Sequence, residues 1–404
     1  MGRFFAGAAK VEITPPRLGI RMGGHAVNRR SVGVRDPLFA HALAIRTDED
    51  VPLVLVSLDL VGLMHGFVEK IRDRVPELDR RRVWICTTHT HDAPDTIGFW
   101  GPMIAEVPLR SGLDHDYMDF AIDRTAEAIR LAVSDQRPAK LRAARLVAPR
   151  VGWTRNVRDE AQKDDAVEIL HAQDRQGATI ALVYHYACHP EFMGHHNRWI
   201  SAGWPGVANA TLEGRLGGTA FLLQNALGGM VTGAVSRDDG AFDPQVGQPF
   251  AQRLGRWVGE AILDALPGAK AVRATSIKTA HRSFDAQVTN RLFRLCGHLN
   301  IFPRWMLGAQ GDTVRTEIDV ARFGSVTMAT VPGEALPEVG FAFKARLGAA
   351  HPWVVNLGND ELGYLLSPEA WRDPRYEYER SMSIGASIVP ELQRYLNDLL
   401  DEVQ

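Results

Sequence analysis

The run VPLVLVSLDL, residues 51–60, constrains the fold more than any other stretch of the chain. It falls well short of the roughly 18 consecutive apolar residues of a membrane span, yet it is too continuous for a strand with one wet face. It reads as a strand buried on both sides, so the protein must supply a layer above it and another below. The flanking segments suggest their order. AKVEIT and FAHALAIRT precede it with strand-like patterns, HGFVEKIRDRVPEL follows with helical spacing, and RRVWICTT returns to strand. The expectation is an α/β fold, a mixed β-sheet core flanked by helices.

The pattern continues along the chain. YMDFAIDRTAEAIRLAVSDQ places Phe120, Ile122, Ala126, Ile129 and Leu131 at roughly helical spacing, and LRAARLVAPRVGW resumes strand-like alternation. DAVEILHAQD and ATIALVYHYACHP read as a strand pair joined by a turn at Arg175, Gln176 and Gly177. AGWPGVANATLEGRL is expected to be a helix, TAFLLQN a strand entering a glycine-rich loop, and FAQRLGRWVGEAILDAL an amphipathic helix. RTEIDVARFGSVTMATVPGE reads as two strands and a turn, and ASIVPELQRYLNDLLDEV as a last helix. Neither internal repeats nor a linker rich in Gly, Ser or Pro interrupts this order, so one domain over residues 1–404 is expected.

Charge and cysteine content narrow the function classes. The 46 Lys+Arg residues nearly balance 48 Asp+Glu, which gives no reason to expect a nucleic-acid partner. Cys86, Cys188 and Cys296 have no CxxC spacing, so neither a disulfide framework nor a thiolate zinc site is implied and a reducing compartment is the simpler reading. The opening MGRFFAGAAKVEITPP reaches Lys10 and Glu12 too soon for a secretory signal, and no window approaches a membrane span, so a cytoplasmic location is expected.

The candidate chemistry begins at ICTTHTHDAPD, residues 85–95. If the strand runs through it, His89 and His91 share a face with Val83, Ile85 and Thr87 at the strand's end. Two such histidines suit a metal site, and equally a polar loop that hydrogen-bonds both. A second cluster, YHYACHPEFMGHHNRW, holds His185, His189, His195 and His196. His189 precedes Pro190, which favours extended backbone, and is the best second ligand, whereas His195 and His196 read as an exposed turn. A catalytic zinc takes about three protein ligands and keeps an open position. In VTMATVPGEALPE, Glu334 follows a strand and a Pro-Gly turn, with Glu338 the less favoured candidate, although a Glu in that position can also cap a helix.

In order along the chain, AGAAKVEITPP, DPLFAHALAI, VSLDLVGL, THTHDAP, YACHPEFMG, VPGE and GYLLSPEAWRDPRYEYERS resemble the neutral ceramidase family, non-lysosomal amidases that hydrolyse N-acyl sphingosine. The resemblance implies a zinc held by His89, His189, Glu334 and Tyr364 at strand ends. It further implies that His91 and Arg155 contact the substrate amide or the tetrahedral intermediate, and that Tyr376 stabilises the oxyanion. The activity this implies is cleavage of the amide of an N-acyl, lipid-like, ceramide-type substrate by zinc-activated water.

The chain also departs from the family. The family's NxGDxSPN loop carries a proposed serine nucleophile, whereas QNALGGMVTGAV has Gly229 at the aspartate and Val231 at the serine, with Thr232 one position away. The family's C-terminal immunoglobulin-like domain, secretion signals and mucin-like stalks find no counterpart, which suggests a stripped, intracellular relative. Two alternatives therefore stand beside the hydrolase: a metal-dependent acyl transferase or cyclase of a biosynthetic pathway, and a binding protein that has lost catalysis. Finally, RLFRLCGHLNIFPRWML, residues 291–307, places apolar side chains among Arg291, Arg294 and Arg304. Such a segment suits a lid over an acyl groove, a peripheral membrane contact, or buried core.

Overall fold

The apolar run becomes the strand Leu53–Leu58, buried at every residue and paired antiparallel with Phe39–Arg46 and parallel with Val83–Thr87. This computed structural model describes residues 3–48, 50–104, 107–148, 153–232 and 244–404. The strands belong to a nine-stranded mixed sheet. Its order is Thr219–Gln224, Thr179–Tyr186, Ala166–Asp174, Arg137–Val147, Phe4–Glu12, Phe39–Arg46, Leu53–Leu58, Val83–Thr87, with Lys270–Ala271 paired beside Arg137–Val147. The first and last pairs of that order are parallel and the pairs between them antiparallel.

Alternation along Leu53–Leu58 explains its composition. Val54, Val56 and Leu58 face a helix-lined core that includes Phe67, Ile71, Ile122 and Ile129. Leu53 and Leu55 face the other way, toward Phe323, Met328, Trp353 and Val355 of a second, four-stranded sheet. That sheet runs Lys278–Gln287, Thr313–Phe323, Val326–Thr330, His351–Val355. Each such side chain contributes roughly 1.5–3 kcal/mol when fully buried, so a polar residue on either side would be costly. The helix His115–Ser134 covers the first sheet; its N-terminus is capped by Asp114, whose carboxylate accepts from the Tyr117 N–H, and its apolar stripe includes Ala121, Ile122, Ala128 and Ile129.

The edges of the large sheet approach one another. Ser57 Oγ donates to the Leu222 carbonyl at 2.6 Å, and Gln224 Nε2 donates to the carbonyls of Thr88 at 2.8 Å and Cys188 at 3.1 Å. The twisted sheet thus curls until the C-terminal ends of its two parallel pairs meet. A third segment joins them: the Asn356 N–H donates to the Gln224 carbonyl at 2.9 Å, and Asn356 Oδ1 accepts from the Ala335 N–H at 2.7 Å.

Some elements differ from the sequence reading. The helix beginning at His65 ends at Asp73, five residues before Leu78. The strand read through LRAARLVAPRVGW ends at Val147, and residues 149–152 lie outside the described residues. The strand Lys278–Gln287, the helix Pro337–Leu347 and the strand His351–Val355 were not anticipated from the pattern.

Candidate metal centre

Three loops deliver the ligand-type side chains. The Val83–Thr87 strand stops two residues before His89, which adopts a left-handed φ of 64°, so strand alternation does not carry His89 and His91 to a common face as expected. The turn is fixed by hydrogen bonds from the Thr88 N–H to the Leu58 carbonyl and from the His89 N–H to the Leu60 carbonyl. The two rings still meet edge-on, with centroids 4.8 Å apart. His189 leaves the end of Thr179–Tyr186 and brings its ring to 4.9 Å from His89 and 5.6 Å from His91. Glu334 opens the short strand Glu334–Ala335, which pairs in parallel with Tyr364–Leu365 so that Glu334 stands opposite Tyr364. Glu334 Oε2 lies 3.1 Å from His189 Nε2 and 3.4 Å from His89 Nε2, and the Tyr364 hydroxyl hydrogen-bonds to the same carboxylate.

Proton positions follow from the partners. His89 Nδ1 faces the Val61 carbonyl and His189 Nδ1 is 3.0 Å from the Met230 carbonyl. A carbonyl can only accept, so both Nδ1 atoms carry hydrogen, and in the neutral imidazoles both Nε2 lone pairs point at the Glu334 carboxylate. Acceptors packed this closely repel unless positive charge lies among them. Imidazole protons can supply that charge. Burial raises the Glu334 pKa, but His89 and His189 outweigh it and hold the carboxyl well below its usual range. Burial lowers the His189 pKa, and Glu334 reverses this to a net rise. A divalent metal can supply the charge equally well. Two imidazoles oriented by backbone carbonyls, a carboxylate and a phenol suit zinc coordination. Among the described residues His89, His91 and His189 form one of three groups of metal-ligand type; the other two share Glu317.

Around these four residues the environment is uneven. Neither ring nitrogen of His91 has a hydrogen-bond partner, although both are buried. Burial first, then His25, His89, His189 and Arg29, lower its pKa far enough to keep the ring neutral. Its edge-on neighbour at 4.7 Å is His25, which the sequence reading did not single out. His25 reaches this place because Gly24 has a φ of +90° and a Cβ there would come within 2.4 Å of the His91 ring. The Gly23-Gly24-His25 run was the available signal. Arg29, buried, donates to the carbonyls of Gly23 and Asn197 at 2.7 Å each and to that of His91, tying the two loops together.

Arg155 sits on Thr154–Asn156 opposite Val231 of Met230–Thr232, one residue from the carbonyl that holds His189, and its Nε has no partner. The Thr232 N–H and hydroxyl both donate to Glu191 Oε1 at 3.1 Å, so that hydroxyl is engaged. The glycine loop before it lies on the Glu334 strand: a Cβ on Gly228 would stand 2.9 Å from the Glu334 carbonyl. Residues 233–235 of QNALGGMVTGAV lie outside the described residues.

The two tyrosines that flank Glu377 differ in their surroundings. Tyr376 belongs to a cluster with Leu336, Leu366 and Ala370 against which Tyr364 also packs, and its pKa is pushed up to about 12 by burial and then by Glu338. Tyr378 packs edge-on against Tyr364 at 5.9 Å, and Glu334 is among the charges that raise its pKa after burial. His185 also stands apart from the site, with Nδ1 2.9 Å from the Leu223 carbonyl and its ring stacked on Trp353. His195 and His196 pack on each other, with His196 exposed as expected. Glu338 lies in the first turn of Pro337–Leu347. Cys86, Cys188 and Cys296 are buried free thiols. The 291–307 segment divides: Phe293, Cys296, Ile301, Phe302 and Leu307 are buried, whereas Leu292, Leu295, Leu299 and Trp305 are exposed.

The sequence profile described as neutral/alkaline non-lysosomal ceramidase, N-terminal, matches residues 4–257. A neutral ceramidase of Mycobacterium tuberculosis is 25% identical over 214 residues, a match that spans 48% of this chain and 33% of that relative's length. The crystal structure of neutral ceramidase from Pseudomonas aeruginosa superposes with a TM-score of 0.80 at 15% identity, covering 99% of this chain and 74% of that one. A ceramidase structure in complex with C2 gives 0.79 at 14% identity, covering 99% and 75%. No helix among the described residues is long and apolar enough to cross a membrane.

Proposed function

The chain belongs to the neutral/alkaline non-lysosomal ceramidase family, and from that premise we propose that it is a zinc-dependent hydrolase of the amide bond in an N-acyl, lipid-like substrate. The observation that carries this reading is the convergence of His89 Nε2 and His189 Nε2 within 3.4 Å of the one carboxylate oxygen Glu334 Oε2, with both imidazoles oriented by backbone carbonyls. In this reading His89, His189, Glu334 and Tyr364 hold the metal. When bound, zinc supplies a Lewis acid for the amide carbonyl and lowers the pKa of water to about 7.

The remaining work falls to the chain's own groups. His91, neutral and with both nitrogens uncommitted, is suited to hydrogen-bond the substrate amide. Arg155 offers a positive charge and an unpartnered Nε toward the carbonyl. Tyr378, whose ring packs edge-on against Tyr364 and which feels the Glu334 charge, is the phenol we assign to the developing oxyanion. Water is the nucleophile, because Val231 replaces the family serine and the Thr232 hydroxyl is committed to Glu191.

The catalytic unit in this reading is residues 1–404 and works in the cytoplasm, where three free thiols are at home. Exposed Leu292, Leu295, Leu299 and Trp305, set among Arg291, Arg294 and Arg304, would rest on a membrane that supplies the substrate. Incubation of the metal-loaded protein with N-acyl amines of varied chain length tests the activity. Chelator-sensitive release of free acid and amine is expected. The missing serine also suits an acyl transferase, and a new acyl product without free acid would favour that reading; metal binding without turnover of any kind would favour a binding protein.

A further inference from the structure

A second constellation lies on the four-stranded sheet, apart from the metal centre. His281 and Ser283 alternate along Lys278–Gln287 and share a face, with Asp319 and Glu317 directly opposite them on Thr313–Phe323. His281 Nδ1 is 2.8 Å from Asp319 Oδ1, and His281 Nε2 is 2.8 Å from Ser283 Oγ. Asp319 is fully buried, and its position is over-determined: Oδ2 accepts from Asn359 Nδ2 at 2.7 Å, and the backbone N–H donates to Thr330 Oγ1 at 2.9 Å. An ionised carboxylate only accepts, so it selects the Nδ1–H tautomer and leaves Nε2 to accept from the serine hydroxyl. Nucleophile, base and orienting acid therefore stand in one hydrogen-bonded line.

This line opens on a cavity of about 670 Å³. Ser283 and His281 form part of its wall, facing the helix His65–Asp73 and the side chains of Trp305 and Met306. We propose that this cavity is a second catalytic site acting on carboxylic esters, with Ser283 as nucleophile, His281 as general base and Asp319 as a positioning residue.

In the first step Ser283 Oγ bonds to the ester carbonyl carbon while its proton passes to His281 Nε2. Collapse of the tetrahedral adduct breaks the bond to the alcohol oxygen, which takes that proton and leaves. Water then adds to the acyl-serine with His281 again receiving the proton, and cleavage of the acyl bond returns the proton to Ser283 and releases the acid. The balance requires only ester and water. Lys70 on the cavity wall provides positive charge toward a developing oxyanion.

A cation site is the competing use of the same residues, since His65, Glu69 and Glu317, and His281, Glu317 and Asp319, have metal-ligand spacing. Their shared carboxylate is already occupied. The buried Arg72 guanidinium donates to Glu317 at 2.7 Å and to Glu69 at 2.8 Å, and Asp319 is committed to His281 and Asn359. The serine hydroxyl on a correctly oriented imidazole is the chemistry left over.

The test uses the full-length protein and a fluorophosphonate probe, with the adduct mapped by peptide mass spectrometry and p-nitrophenyl acetate hydrolysis followed in parallel. The expected result is an adduct on Ser283 that disappears in Ser283→Ala together with most of the esterase rate, while zinc content and melting temperature stay as in the parent. His281→Gln should slow labelling by about 100-fold or more. Asp319→Asn should slow it comparably and displace the pH midpoint of labelling, which a merely structural aspartate would not do. An unlabelled Ser283 in the parent protein, or an undiminished rate in Ser283→Ala, would overturn the proposal. Ser283→Ala removes one half-buried oxygen and so decides the matter even if Asp319→Asn fails to fold.

Discussion

Gln224 donates its side-chain amide to the carbonyl of Thr88 across 2.8 Å, although the two residues come from opposite ends of the pairing order in the large sheet. The same nitrogen reaches Cys188, immediately before His189, at 3.1 Å. One buried amide therefore holds the loops of both His89 and His189. Gln224→Leu should strip the buried Thr88 carbonyl of this donor, at about 1–3 kcal/mol, leave the Cys188 carbonyl with Trp204 Nε1 alone, and loosen the geometry they impose. Calorimetry should show a lower melting temperature, and metal titration a weaker affinity than in the parent.

The proposed ligand set predicts the effect of its removal. His89→Ala and His189→Ala each remove an imidazole whose partner nitrogen is fixed by a backbone carbonyl, and Glu334→Gln removes the charge between them. Each substitution should lower bound zinc well below stoichiometry and cut amide hydrolysis by about 100-fold or more. Elemental analysis and product assays on the same samples would check both. Full activity in His189→Ala would remove that residue from the metal.

Tyr376 and Tyr378 make a paired experiment. Tyr378→Phe deletes the phenol beside Tyr364 and should lower kcat by about 10²-fold with little change in KM, as expected of a donor that acts on the transition state. Tyr376→Phe, set among Leu336, Leu366 and Ala370, should leave kcat nearly unchanged. The opposite ranking would return the oxyanion role to Tyr376.

Asp59 gives a pH signature. Buried beside the sheet and accepting from the Phe39 N–H at 2.9 Å, it has its pKa raised to about 8 chiefly by burial. The folded state thus keeps a proton that the unfolded state releases near pH 4, so stability should fall as pH rises from about 4 to about 8 and then level off. Asp59→Asn removes this dependence. Its melting temperature, compared with the parent's, should gain steadily from about pH 5 to about pH 8 and then hold; a difference that does not change with pH would show that Asp59 is ionised throughout.

Local pattern carried much of this architecture. Leu53–Leu58 was legible because it is apolar on both faces, and His89, His189, Glu334 and Tyr364 because each sits in a short recognisable motif. Lys278–Gln287 was not, since one face packs apolar residues such as Phe284 while the other turns His281 and Ser283 toward a polar cavity. His25 escaped notice because its partner ring, His91, is distant in sequence and the contact depends on the conformation of Gly24. The choice between Tyr376 and Tyr378 turns on where the short turn Pro374–Tyr376 passes into the helix Glu377–Ser381, which no motif specifies. The meeting of Gln224 with Thr88 arises from the curl of the whole sheet and has no local signature.

The most direct measurement is the metal content of protein purified without added metal, determined by elemental analysis alongside His89→Ala and His189→Ala. About one zinc per chain in the parent and substantially less in both variants is the predicted result. A parent protein that stays metal-free after incubation with zinc would show that His89, His189 and Glu334 are held together by imidazole protons alone, and the proposed hydrolysis would lose its basis.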